Sequence, residues 1–189
     1  MNLIIDSGAT KAKWALSEIG EAVQQVYTQG LHPLLMPEET MRLLMQEAQL
    51  KGITPSENIF YYGTGCKSED ARRRIHAILQ ESFPTATRVE VDTDVFGAAR
   101  ALCQHDPGIA CILGTGSNSC FYDGERILAN KGGHGFILGD EGSGAALGKQ
   151  LMADLKAELE QNPNFFGLPI NDILTIDGVR ANFDQGFFL

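Results

Sequence analysis

Apolar positions in this chain recur with two periods, near two residues and near 3.6, and each change of period marks an element. "NLIID" (2–6) reads as a buried strand, "SGAT" (7–10) as a turn, and "KAKWALSE" (11–18) alternates as a returning strand. After a Gly turn "GEAVQQVYT" (20–28) gives a third strand, so the chain opens as a β-meander. "PEETMRLLMQEAQLK" (37–51) has Pro and acids at its start and apolar residues at helical spacing. "NIFYYGT" (58–64) is a strand, and "SEDARRRIHAILQESF" (68–83) is a helix opened by a Ser cap and acids. "TRVEVDTD" (87–94) is a strand and "VFGAARALC" (95–103) a helix, which completes β-β-β-α-β-α-β-α.

The pattern then restarts. "IACILGT", whose apolar run reads as buried, "SNSCFYDGE" and "RILANKGG" give three strands, and "SGAALGKQLMADLKAELEQ" (143–161) gives a helix. This is a second β-β-β-α about a hundred residues after the first, with little residue identity between the copies. The second copy is incomplete. We therefore expect an α/β protein with a first lobe at 1–106 and a partial second lobe at 107–189. In the tail, "DILTIDG" reads as a strand, and the Phe residues suggest packing against something, in line with a possible homodimer.

Composition narrows the function. The 189 residues are 43% hydrophobic, enough for a core, and the formal net charge is −9. No Lys/Arg stripe is present, so we expect no nucleic-acid partner. "ARRRI" (71–75) lies among acids and reads as a solvated helix face. Cys66, Cys103, Cys111 and Cys120 form no C-x-x-C, so buried free thiols in a reducing cytoplasm are expected, without zinc or iron–sulfur. No run approaches a membrane span and no secretory leader opens the chain, so we expect a cytoplasmic, soluble protein without membrane partners.

The candidate chemistry sits in the turns. A tight turn after a strand aims backbone N–H groups at an anion, and glycine lets the chain approach closely. "DSGATK" offers Ser7, Gly8, Thr10 and Lys11 behind the carboxylate of Asp6. "GTGSNS" offers Gly114, Thr115, Gly116, Ser117 and Asn118 at the equivalent place in the second copy. Two such turns can grip one polyphosphate, with Asp6 positioning Mg²⁺ through water. Asp94, at the end of "VDTD", is preferred over Asp92 as a general base, because ligands meet an α/β sheet at strand C-termini. A plain N-cap role for Asp94 is compatible with this. In "GGHGFILGDEGSG" (132–144), Gly133, His134 and Gly135 offer backbone contacts and a flat ring, Asp140 can accept from sugar hydroxyls, and Glu141 suits the N-terminus of the next helix. "GSGAALGKQ" (142–150) is no P-loop, since Ser143 and Gln150 replace the required Gly and Ser/Thr.

Together "DSGATKAKW", "DTDVFGAA", "GTGSNS" and "GGHGFILGDEGSG" resemble the N-acetylglucosamine kinase and BadF/BadG-type ATPase family, over residues 1 to 155. The resemblance implies ribonuclease-H-like lobes of the actin/sugar-kinase/Hsp70 superfamily, with ATP and Mg²⁺ as cofactors. It implies that Thr10 and its turn touch ATP phosphates, and that Thr115 and Ser117 lie at the phosphate–sugar boundary. Asp94 becomes the base on the sugar 6-hydroxyl. Gly133, His134, Gly135 and Asp140 line the sugar pocket, with Asn118 nearby. The departures are His32 in "GLHP", where the family commonly has Asn-Pro or Asn-His, and His134, where many relatives have Trp. The family's adenosine segment falls beyond residue 189, so a truncated second lobe is expected. The alternatives are an activator-type ATPase, disfavoured because Ile112 and Leu113 stand before "GTG", and a non-catalytic amino-sugar-binding module.

Overall fold

The computed structural model describes residues 1–18, 23–54 and 56–162. The expected strand and fold of the tail therefore lie outside the described residues. The meander is β1 (Asn2–Ser7), β2 (Lys11–Ser17) and β3 (Gln24–Gln29). There follow α1 (Glu38–Leu50), β4 (Asn58–Gly63), α2 (Glu69–Ser82), β5 (Arg88–Thr93) and α3 (Asp94–Cys103). The second copy supplies β6 (Gly108–Leu113), β7 (Ser117–Tyr122), β8 (Ile127–Gly132), the short α4 (Gly135–Leu138) and α5 (Gly144–Gln161). The order is the one expected, with α4 added.

Strands β1 to β5 form one sheet in the order β3-β2-β1-β4-β5. The meander pairs are antiparallel, and β4 and β5 add in parallel after helical crossovers. One face is the main core. Leu3, Ile5, Trp14, Ile59 and Tyr61 bury there against Met41, Met45 and Ala48 of α1 and Ile75, Ile78 and Leu79 of α2. Those helical residues recur at three- and four-residue intervals, so one stripe of each helix meets the sheet. Two of the arginines of "ARRRI" do more than face water: Arg72 donates to the Cys66 and Lys67 carbonyls, and Arg74 to those of Pro33 and Met36.

Strands β6, β7 and β8 form a second, three-stranded sheet. Its covered face holds Ala110, Cys120 and Tyr122 against Val95 and Ala99 of α3. The other side of α3 approaches β4 at Gly97, where a Cβ would stand 2.6 Å from Tyr62 Cγ, so only glycine admits this approach. The run "IACIL" is buried on one face only, since Ala110 is covered while Ile109 and Cys111 are exposed. Of the four thiols, Cys66 and Cys120 are buried, Cys103 is half-buried and Cys111 is exposed; the last departs from the expected buried set. Among the described residues no helix is long and apolar enough to cross a membrane.

By internal contacts the chain divides into two compact units. One comprises Met1–Ile112 with Asn118–Gly132, and the other Leu113–Ser117 with the chain from Gly133 onward.

Candidate active site

Parallel register brings three strand ends of the first unit into line. Ser7 pairs with Gly63, and Gly63 with Thr93. One residue earlier, Asp6, Tyr62 and Asp92 share a row. The C-terminal ends of β1, β4 and β5 thus open side by side, where an α/β sheet meets its ligands.

The first turn is tightly anchored. The Ser7 hydroxyl is fully buried; it accepts from the Leu31 N–H at 2.8 Å and donates to the Leu31 carbonyl at 3.2 Å. Its role is to fix the turn against the 30–36 loop. At Gly30 a Cβ would lie 2.2 Å from the Gly8 carbonyl oxygen, so the two segments meet backbone to backbone. The Gly8 N–H donates to the Lys11 carbonyl at 3.0 Å, which closes the hairpin and leaves Ala9 and Thr10 exposed at its tip. The Lys11 ammonium stands over the Tyr27 ring, 3.9 Å from its centroid. Asp6 is exposed on the face opposite the main core.

Asp94 is half-buried as the first residue of α3. It is not the N-cap: Thr93 is, with its hydroxyl accepting from the Phe96 N–H at 3.3 Å. That leaves the Asp94 carboxylate out of the capping bond; its Oδ1 accepts from the Val95 N–H at 2.9 Å. Burial raises the Asp94 pKa, and the negative charge of Asp6 adds to the rise, against the pull of the Val95 N–H and of Lys67. Asp92 Oδ1 accepts from the Thr93 N–H at 2.7 Å, a local turn contact. Cys66 lies nearby, and burial pushes its thiol up to about 12, with Asp94 assisting.

The turn after β4 escaped the sequence reading. Its Thr64 N–H donates to the Ser7 carbonyl at 2.9 Å, and Gly65 has φ +81°. A Cβ on Gly65 would stand 2.7 Å from His32 Cε1, so His32 is packed onto this turn. The signal was present, since "GTG" at 63–65 repeats the "GTG" at 114–116. Asn118 belongs to β7 of the same unit; its Oδ1 accepts from Ser119 N–H at 2.9 Å and from Asn130 Nδ2 at 3.1 Å.

In the second unit the "GTG" turn and the "GDEGSG" segment hold each other. The Gly114 N–H donates to the Gly116 carbonyl at 2.9 Å. The Gly114 and Thr115 carbonyls accept from Gly144 and Ala145 at the start of α5, at 2.8 and 3.2 Å. Asp140 is buried and its Oδ1 accepts from the Ser117 N–H at 3.3 Å. The helix is capped by Ser143, whose hydroxyl accepts from the Ala146 N–H at 3.1 Å; Glu141 does not cap it. Gly133 donates to the Ser117 carbonyl at 3.3 Å, so Ser117, Gly133 and Asp140 are brought together. Thr115, His134 and Gly135 are exposed around them. This bonding explains why the two motifs occur together: the turn lacks its partners without the later segment.

No family model matches the chain. A curated relative, the glucosamine kinase of Vibrio cholerae, is 27% identical over 154 residues, 78% of this chain and 52% of the relative. The chain thus spans about half the length of that curated relative. Among solved structures, a protein from Porphyromonas gingivalis named as an N-acetylglucosamine kinase is 34% identical with a TM-score of 0.80, covering 99% of this chain and 71% of that one. A second of that name, from Chromobacterium violaceum, is 20% identical with a TM-score of 0.60, covering 97% and 63%, and shows the fold alone. The identity to the P. gingivalis protein over nearly the whole of this chain is the deciding observation: this chain belongs to the N-acetylglucosamine kinase family.

Proposed function

We propose that this chain belongs to an ATP-dependent kinase that phosphorylates a hydroxyl of an amino sugar, with Asp94 as the general base. In this reading residues 1–106 are the first lobe and 107–189 the opening of the second. The observation that carries it is the state of Asp94. It directly follows β5, whose end lies level with the ends of β1 and β4, Thr93 relieves it of capping, and its pKa is raised, which makes it a better proton acceptor.

The carboxylate would hold the sugar hydroxyl and accept its proton as the hydroxyl oxygen attacks the γ-phosphorus. Phosphoryl transfer asks mainly for positioning and charge stabilisation. The exposed tip of the 7–10 turn, with Thr10 foremost, would receive phosphate oxygens, and so would Thr115 and Ser117 in the second unit. When bound, ATP would supply the phosphoryl group and Mg²⁺ would neutralise charge on its oxygens. The donor chemistry fits the metal: Asp6 is an exposed carboxylate close enough to Asp94 to raise its pKa, and Mg²⁺ favours few carboxylates with retained waters. Asn118, Gly133, His134, Gly135 and Asp140 would serve the sugar, Asp140 by ordering the turn through Ser117. His32 on the Gly65 turn would bear on sugar choice.

The test is coupled ADP release with ATP and Mg²⁺, comparing N-acetylglucosamine, glucosamine and glucose. ADP release that depends on an amino sugar supports the proposal. ADP release indifferent to sugar, or none, contradicts it.

A further inference from the structure

A cavity of about 680 Å³ lies within the first unit, lined by Phe60, Arg88, Arg100, His105, Tyr122 and Glu125 among others. Its walls come from β4 and β5, from the end of α3, and from the β7–β8 hairpin. Arg88 opens β5, whereas Asp94 follows its last residue, so the cavity lies toward the opposite strand ends from the candidate base.

Two guanidiniums dominate it. Arg88 Nη2 donates to Glu90 Oε2 at 3.0 Å. Arg100 Nη1 donates to Glu90 Oε1 and, at 2.8 Å, to the Tyr62 hydroxyl. Both cations therefore share one carboxylate. Each guanidinium has five N–H donors, so the pair keeps donors for a further acceptor. Both are also pre-oriented: Arg88 lies over the Phe60 ring at 5.2 Å and Arg100 over the Phe96 ring at 4.7 Å. Arg100 further offsets the negative end of α3, which otherwise disfavours an anion. His105 adds a donor, and Glu125 stands exposed on the hairpin. The floor is ordered: the buried Tyr122 donates to the Gly124 carbonyl at 2.8 Å, and Gly124 packs so closely on the His105 carbonyl that a Cβ would reach 2.3 Å. In a chain of net charge −9, two oriented arginines around one carboxylate, at a cavity of ligand size, call for an explanation.

We propose that this cavity binds the phosphate of a small phosphorylated metabolite, with Arg88 and Arg100 as its fork-like donors and Phe60 and Tyr122 packed against its body. Phosphate suits the geometry because planar guanidiniums from two elements can each take a pair of its oxygens. A ligand there would touch both sheets of the first unit and the helix that begins at Asp94.

The experiment is amide NMR titration at low salt with two probes, inorganic phosphate and glucosamine 6-phosphate. We expect saturable shifts at Gln104, His105 and Gly124 with millimolar or tighter dissociation constants, tighter for the sugar phosphate. Arg88→Gln is expected to weaken this binding about tenfold or more, and Arg88→Lys also to weaken it, because the charge stays but the fork is lost. Arg126→Gln removes an exposed charge outside the cavity lining and is expected to leave it unchanged. Shifts confined to residues 8–11 and 114–117, no saturation at all, or equal affinity in the Arg88 variants would overturn the proposal. The first of these outcomes would leave the kinase assignment standing.

Discussion

At Asp94 the proposed role as base has a consequence for stability. Its pKa is raised in the folded chain, mainly by burial. The native state therefore holds the Asp94 proton more tightly than the unfolded chain does. The associated stability is fully present below the ordinary aspartate pKa of about 4, and is lost as pH rises through the higher native value. At neutral pH the ionised carboxylate is thus a burden on the fold. Asp94→Asn is expected to be at least as stable as wild type at pH 7, by urea unfolding, with any advantage shrinking as the pH falls toward 4; a clearly less stable variant at pH 7 would show that the carboxylate holds the fold together. Cys66 makes a second residue-scale prediction. Its buried thiol, pushed up to about 12, should resist a thiol reagent at pH 8 until the chain unfolds, whereas the exposed Cys111 should react at once. Mass spectrometry after brief labelling distinguishes the two. At this scale the position of Asp94 was legible, because a carboxylate at a strand end before a helix is a local pattern; its role as base is the proposal. The sequence reading placed the Ser68 cap of α2 correctly but looked to Asp94 and Glu141 at the starts of α3 and α5. Thr93 and Ser143 take those roles, one and two residues away, by differences in backbone geometry that no periodicity records.

At the scale of elements, the turns are held by partners far along the chain. Ser7→Ala would strip both polar groups of the buried Leu31 of a hydrogen bond and should cost roughly 1–3 kcal/mol, read from denaturant unfolding. Ser143→Ala should cost about 1 kcal/mol through loss of the α5 cap. Asp140→Ala removes the acceptor of the Ser117 N–H; the amide signals of Gly116, Ser117 and Gly144 should move while those of Gly8 and Thr10 stay in place. The order of strands and helices was legible, because each long element carries its own period. Helix α4 was not: the four residues Gly135–Leu138 leave no room for a period. Thr64 was absorbed into the preceding strand, and it is the turn's contacts with Ser7 and His32 that place it beside the candidate site residues.

For the whole molecule, the repeat was the most informative reading. Two β-β-β-α units imply two turns in equivalent places, and each turn is found anchored by its own set of bonds. The strand order β3-β2-β1-β4-β5 is a meander extended by two parallel strands that return through helical crossovers, a matter of topology rather than of any residue. What the sequence could not supply was the second role of α3. That helix carries Asp94 at its start, the covered face of the second sheet along its length, and Arg100 near its end. Such placement depends on tertiary packing at Gly97, which reads in sequence only as a helix-weakening glycine.

The most direct test of the account follows the phosphorus atom. Phosphorus NMR of ATP, Mg²⁺ and N-acetylglucosamine or glucosamine with the protein should show a new sugar phosphate ester as the ATP signal declines. Asp94→Asn should slow its appearance by about a hundredfold or more, while nucleotide binding measured on the same sample is retained. A wild-type rate in Asp94→Asn, or loss of ATP signal with only inorganic phosphate formed, would contradict the assignment of Asp94 as the base of an amino-sugar kinase.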